Sequence, residues 1–180
     1  MKPQRIEKYK FTANDNLLLD ANVWLFLYCP HGDPNAYGPR VYSAAFKNII
    51  SAKSRVYVNS TVLGEFVNRY CRLVHELMLA KDAAPRDFKR FRKTVHFQKV
   101  ARAVADAAQR VLKDATPIDD DFASLDVGKI LADFETSRND FNDLLIAEVC
   151  GRRKLTLVTD DEDFLFSGIP VLTANVLLAN

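Results

Sequence analysis

The chain has 180 residues, 48% hydrophobic and 27% charged, with 25 Lys and Arg against 23 Asp and Glu and a formal net charge of +2. That length suffices to bury a real core in one compact domain, and the composition excludes disorder, low complexity and internal repeats, while the near-neutral total does not announce a polyanion binder. Three scattered cysteines, Cys29, Cys71 and Cys150, in no CxxC arrangement, argue against a disulfide framework or a zinc knuckle and fit a reducing compartment.

Met1 to Phe11 is polar and basic, with no apolar stretch behind it that would make a signal peptide. Leu17-Leu18-Leu19 is an apolar run ending abruptly at Asp20, which predicts a buried strand followed by a helix near Val23 to Leu27. The apolar run Val23 to Cys29 is too short to cross a bilayer, so a cytoplasmic protein with no membrane partner is expected. Pro30 to Pro39 is a loop by composition, Val41 to Ala52 a helix and Arg55 to Asn59 a second strand. Ser60 or Thr61 is the expected cap of a helix running to about Leu79, with Leu63, Phe66, Tyr70, Leu73, Val74 and Leu77 on one stripe.

Ala84-Pro85 marks a break, followed by two helical stretches. Phe88, Phe91 and Val95 align in the first, and Val100, Val104, Ala107 and Val111 in the second. Thr116-Pro117-Ile118 is a weakly signalled third strand. Phe122 to Phe134 and Asp140 to Arg153 read as helices, Leu155 to Thr159 as a strand, Asp160 to Phe166 as a short helix and Pro170 to Leu172 as a last strand. Strands separated by helical segments predict a three-layered α/β fold with a parallel sheet, a single domain over 1–180 with a helical elaboration at about 80–115.

In open parallel sheets, ligands bind beyond the carboxyl ends of the strands. Two strands here end in acids, Asp20 and the pair Asp160-Asp161, while Glu65 and Asp143 lie near helix beginnings. Four carboxylates converging on one edge cannot all keep their charge unneutralised: either their pKa values rise or a cation sits among them. Oxygen donors without His or Cys favour Mg²⁺ or Mn²⁺ over zinc.

Each acid also has an ordinary reading. Asp20 can cap the helix that follows it, and Asp143 can complete a capping box with Asp140. Glu65 can pair with Arg69 four residues on. Asp160 and Asp163 have the capping spacing, which leaves Asp161 as the ligand candidate.

The stretches Leu18-Leu19-Asp20-Ala21-Asn22-Val23, Asn59-Ser60-Thr61-Val62-Leu63-Gly64-Glu65-Phe66, Asp143-Leu144-Leu145-Ile146-Ala147 and Leu157-Val158-Thr159-Asp160-Asp161-Glu162-Asp163-Phe164 resemble, in order, the four motifs of PIN domains. The resemblance spans nearly the whole chain. It implies a Rossmann-like sheet of order 3-2-1-4-5 and a divalent-metal site, with acid roles for Asp20, Glu65, Asp143 and Asp161. Asn22 and Thr159 become supporting polar groups and Asp163 a secondary acid. Many bacterial PIN proteins are VapC-like toxins, endoribonucleases restrained by a cognate antitoxin and often dimeric, so an antitoxin and a second copy of the chain are implied partners. The segment between the second and third motifs, Asn68 to Asn142, is longer than in compact toxins, which bears on that label.

The added stretch is basic, with nine Lys or Arg and two Asp between Arg86 and Lys113. Lys89, Arg92, Lys93 and His96 fall on one face of the first predicted helix, a strip suited to the phosphates of RNA, although a solvated helix face explains it as well. His31 in the Pro/Gly loop is a candidate substrate contact, whereas His75 and Trp24 read as packing residues.

The expected activity is therefore hydrolysis of RNA phosphodiesters by metal-activated water. Two rivals stand beside it. A PIN-like module that binds RNA or protein without cutting predicts binding that persists in EDTA. A phosphatase with Asp20 as nucleophile wants a second acid two residues later, where this chain has Asn22.

Overall fold

In a computed structural model describing residues 2–31, 33–137 and 139–178, six parallel strands form one sheet. Met1 and Gly32, from the N-terminal and loop stretches read above, lie outside the described residues. The strands are β1 (Gln4–Arg5), β2 (Asn16–Leu19), β3 (Arg55–Val58), β4 (Thr116–Pro117), β5 (Thr156–Val158) and β6 (Val171–Thr173), in the order β1-β6-β5-β2-β3-β4. Setting the edge strand β1 aside, this is the expected 3-2-1-4-5 arrangement. The added strand was not legible in Gln4 and Arg5, which form a two-residue edge rather than an apolar run.

Strand β2 sits at the centre, which explains its unbroken leucines: Leu17, Leu18 and Leu19 are at most 1% exposed because helices cover both faces of the sheet. The chain steps from β2 to β3 to β4, then returns to the other side of β2 to form β5 and β6. Right-handed crossovers put the helices of the first half on one face and those of the second half on the other. Helices α1 (Ala21–Tyr28), α2 (Tyr37–Ser51), α3 (Ser60–Leu79) and α5 (Val95–Asp114) pack against one another, and α6 (Val127–Thr136) packs on α7 (Phe141–Arg153). The reversal of direction falls between β2 and β5, and Asp20 and Thr159 immediately follow those two strands.

Several boundaries differ from the sequence reading. Helix α2 begins at Tyr37, inside the predicted loop, because Pro39 stands in the first turn, where an absent N–H costs nothing. The cap of α3 is Asn59, whose side chain accepts from the Val62 amide at 3.0 Å, while Ser60 and Thr61 turn their hydroxyls to Asp120. The buried face of α3 is Val62, Phe66, Tyr70, Cys71, Val74 and His75; Leu77 of the expected stripe is 37% exposed.

The basic stretch forms two helices, as expected, but they divide at Thr94, ahead of Val95. Helix α4 (Phe88–Phe91) is a single turn, and Thr94 caps α5 by accepting from the Phe97 amide at 3.2 Å. Val95 is thereby turned outward at 70% exposure, while α5 buries Val104, Ala107 and Val111 in the main core. His75 is a packing residue, 4.7 Å from the Phe91 ring and bonded through Nε2 to the Pro85 carbonyl. Trp24 is fully buried, stacked on Tyr28. The predicted helix at Phe122 is a three-residue 3-10 turn, after which Asp126 restarts the chain as the cap of α6. No helix among the described residues is long and apolar enough to cross a membrane.

Candidate functional site

Asp20 is the first residue beyond β2. Its amide still extends the ladder to the Val158 carbonyl at 3.0 Å, and its carboxylate begins α1 by accepting from the Ala21 amide at 2.6 Å. The capping reading therefore holds for it. Its other oxygen accepts from Asn22 Nδ2 and from Thr159 Oγ1, each at 2.7 Å. Asn22 also reaches Thr159 Oγ1 at 3.2 Å, and that oxygen accepts the Asp161 amide at 3.0 Å. Asp20, Asn22, Thr159 and the turn at Asp161 therefore form one connected hydrogen-bond network across the β2/β5 crevice, with Asp20 4% and Thr159 0% exposed.

Asp161 caps the 3-10 turn Glu162–Phe166 by accepting from the Asp163 amide at 3.1 Å. The spacing argument had given the capping role to Asp160. That residue instead takes a hydrogen bond from the Tyr42 hydroxyl at 3.0 Å. Asp163 is exposed and meets the site through its backbone amide.

Asp143 lies in the first turn of α7, where Asp140 caps the helix by accepting the Asp143 amide at 2.9 Å. It is 9% exposed. Contact between α3 and α7 brings Glu65, from the second turn of α3, towards the same edge. Glu65 is engaged by Arg69 at 3.0 Å, the i,i+4 pair anticipated from the sequence.

Asp20 and Asp143 register the charges of their acidic neighbours. Burial pushes the Asp20 carboxyl up to about 6 against the pull of the Thr159 hydroxyl, and the charges of Glu65 and Asp161 add to the rise. Burial also pushes Asp143 up to about 8, helped by the charges of Asp140, Asp161, Asp20 and Glu65. Behind them, burial raises the Cys150 thiol to about 12, so it offers no thiolate near neutral pH. The donors facing this edge are hard oxygens, the set suited to Mg²⁺ or Mn²⁺. Among the described residues, no three acidic, His or Cys side chains stand together as a preformed metal cage.

One residue of this region escaped the sequence reading. The Tyr42 hydroxyl, from α2, accepts the Ala174 amide at 2.9 Å and directs its proton at the Thr159 carbonyl at 2.8 Å and at Asp160. It pins the ends of β5 and β6 together. The only signal was its position on the apolar stripe Tyr42, Ala45, Ile49, where Tyr rather than Leu implies a buried hydroxyl with a partner. Asn175, just past β6, donates to the Asp160 carbonyl at 3.0 Å, so the chain after β6 also borders this edge.

Of the remaining candidates, Lys89, Arg92 and Lys93 are exposed on α4 and the turn behind it, and His96 belongs to α5. They do not share one helix face. His31 is exposed, its ring centroid 5.9 Å from that of Tyr70.

The family model described as PIN domain matches residues 17–167, and the chain belongs to the PIN-domain family. Among solved structures, the chain is similar to VapBC2 from Rickettsia felis, solved bound to a DNA fragment from their promoter. The identity there is 15%, with 87% of this chain and 97% of that one covered, at a TM-score of 0.56. It is also similar to PAE2754 from Pyrobaculum aerophilum, with 16% identity, 94% and 91% coverage and a TM-score of 0.54. At such identities the likeness is one of fold. Among curated proteins, none matches the chain in sequence.

Proposed function

We propose that this protein is an endoribonuclease that hydrolyses RNA phosphodiester bonds with a divalent cation, Mg²⁺ or Mn²⁺. Asp20, Asp143 and Asp161 would hold the cation, with Glu65 as a further ligand or as the group that orients water. One observation carries the reading: at the β2/β5 crevice two buried carboxyls, Asp20 and Asp143, stand close enough to Glu65 and Asp161 that those charges add to the rise imposed by burial, to about 6 and about 8. Held by these residues, such a cation would supply activation of water and an offset for charge developing on the phosphate. Asn22 and Thr159 fix the Asp20 carboxylate by direct hydrogen bonds. Asp163 supports Asp161 through its amide. Lys89, Arg92 and Lys93 are the candidate contacts to the RNA backbone.

The test is incubation of purified protein with mixed cellular RNA, in Mn²⁺ and in EDTA. Cleavage is expected with the metal, none with the chelator, and none from Asp20→Asn protein that melts as a folded chain. Equal cleavage by Asp20→Asn excludes the arrangement.

The resemblance to VapC-like toxins adds a partner to this reading: an antitoxin, expected from a neighbouring gene, and a second copy of the chain. The similarity of fold to VapBC2 supports looking for them. Co-expression with the adjacent reading frame, followed by size-exclusion chromatography, measures both.

A further inference from the structure

Beside the acid edge lies a cavity of about 680 Å³ that the cation-centred reading leaves unused. Phe26 and Tyr28 from α1, Leu73 from α3 and Arg110 from α5 line it, together with Asp33 from the loop before α2. Asn22 lines it too, and the same side-chain amide holds Asp20 Oδ2 at 2.7 Å. Asn22 therefore joins the cavity to the acid edge.

The lining is stiff where it is aromatic. The Phe26 ring is stacked on Tyr42 with centroids 5.5 Å apart, and the Tyr28 ring on Trp24 at 5.8 Å. It is charged at its margin. The Arg110 guanidinium lies 5.4 Å from the Tyr28 ring centroid, and Arg69, the partner of Glu65, also borders the space. A purely apolar occupant would strip water from two guanidinium groups and a carboxylate and offer nothing in return. The fitting occupant has a flat apolar body, hydrogen-bonding edges and an anion close by. An unpaired base on an RNA strand has all three, and the volume accommodates a base with its ribose.

We infer that this cavity is a nucleobase subsite, taking an unpaired base of the strand whose phosphate lies at the acid edge, with guanine preferred. Arg110 donates to the O6 and N7 acceptors that guanine presents, and Asp33 accepts from its N1 and N2 donors. This assignment rests on the ribonuclease reading for its strand, and it makes the cavity the part of the molecule that selects where RNA is bound.

Anisotropy of fluorescein-labelled uridine heptamers, carrying either a central guanine or a central abasic position, tests this with the full chain in EDTA. The guanine heptamer is expected to bind about tenfold more tightly. Leu73→Trp, which fills the cavity, and Arg110→Ala, at an exposed position, should each erase that preference. Arg110→Ala carries the test alone if Leu73→Trp does not fold. Equal binding of the two heptamers, or a preference that survives Arg110→Ala, overturns the assignment. So does a cavity whose filling leaves RNA preference intact but releases a co-expressed protein partner. Cleavage of mixed RNA in Mn²⁺ is measured in parallel. Cleavage without base preference sinks the subsite alone, and base preference without cleavage supports the subsite while sinking the nuclease reading.

Discussion

Thr159 has no charge and no exposed surface, yet its hydroxyl links Asp20, Asn22 and the Asp161 amide in one chain of hydrogen bonds. Thr159→Val keeps the shape and removes the hydroxyl. Supporting groups of this kind commonly change metal affinity or activity by about 10–100-fold, and a loss of that order is expected in Mn²⁺-dependent RNA cleavage, with the melting curve little changed. Asp20 and Asp143 give a second expectation. Both have folded-state pKa values raised above the ordinary 3.8, to about 6 and about 8. At these two groups the folded form holds protons that the unfolded form releases, so their contribution to stability is fully present below about pH 4 and is lost as pH rises through 6 and 8. Urea unfolding in EDTA at pH 5 and pH 8.5 measures this: the midpoint should fall at the higher pH, and Mg²⁺ or Mn²⁺ should restore it by binding the folded state. A midpoint that rises with pH would contradict the electrostatic picture.

At the scale of elements, α2 reaches the ends of β5 and β6 through Tyr42. Tyr42→Phe removes a hydroxyl that serves the Ala174 amide and the Thr159 carbonyl, leaving buried polar groups unmatched at a cost of about 1–3 kcal/mol. Urea unfolding should show the loss, and cleavage should fall with it because the β5 end no longer has a fixed position against β6. The long elements and strand ends were readable in the sequence because their signals are local. Three leucines before Asp20 require a strand covered on both faces, and Asp140 three residues before Asp143 is a cap whatever surrounds it. The failures share a physical cause, which is competition between neighbours for one role. Asn59 outcompetes Ser60 and Thr61 as a cap because Asp120, sixty residues away, takes their hydroxyls. Asp161 takes the cap that spacing assigns to Asp160 because Tyr42 engages Asp160 from another helix. The two helices of the basic stretch were readable, but Val95 and His96 belong to the second rather than the first, because Thr94 caps it. In the candidate site, the burial of Asp20 and Asp143 and the resulting rise of their carboxyls were not legible, since burial depends on the whole packing.

Over the whole molecule, the near-neutral charge hides an uneven distribution. An acid edge repels a polyanion, so binding RNA there requires cations elsewhere on the strand's path. Lys89, Arg92 and Lys93 are exposed on the short α4 and the turn after it. If all three meet phosphates, replacing them together by Ala should weaken single-stranded RNA binding and flatten its dependence on salt, lowering the slope of log K against log salt by about 2. Anisotropy across a salt titration reads the slope directly. An unaltered slope would return these residues to ordinary surface.

The parallel pairing of β1 with β6 has a practical side. Because the two strands point the same way, the backbone enters β1 at the border of the sheet remote from the acids and leaves β6 at the border beside them, where Asn175 touches Asp160. A purification handle of histidines fused in front of Gln4 stands clear of the carboxylates. The same handle placed after β6 would start from the border where Asn175 meets Asp160, and Ni²⁺ carried over from a nickel column would compete there for the proposed cation site. Assays of metal dependence on this protein belong with the handle in front.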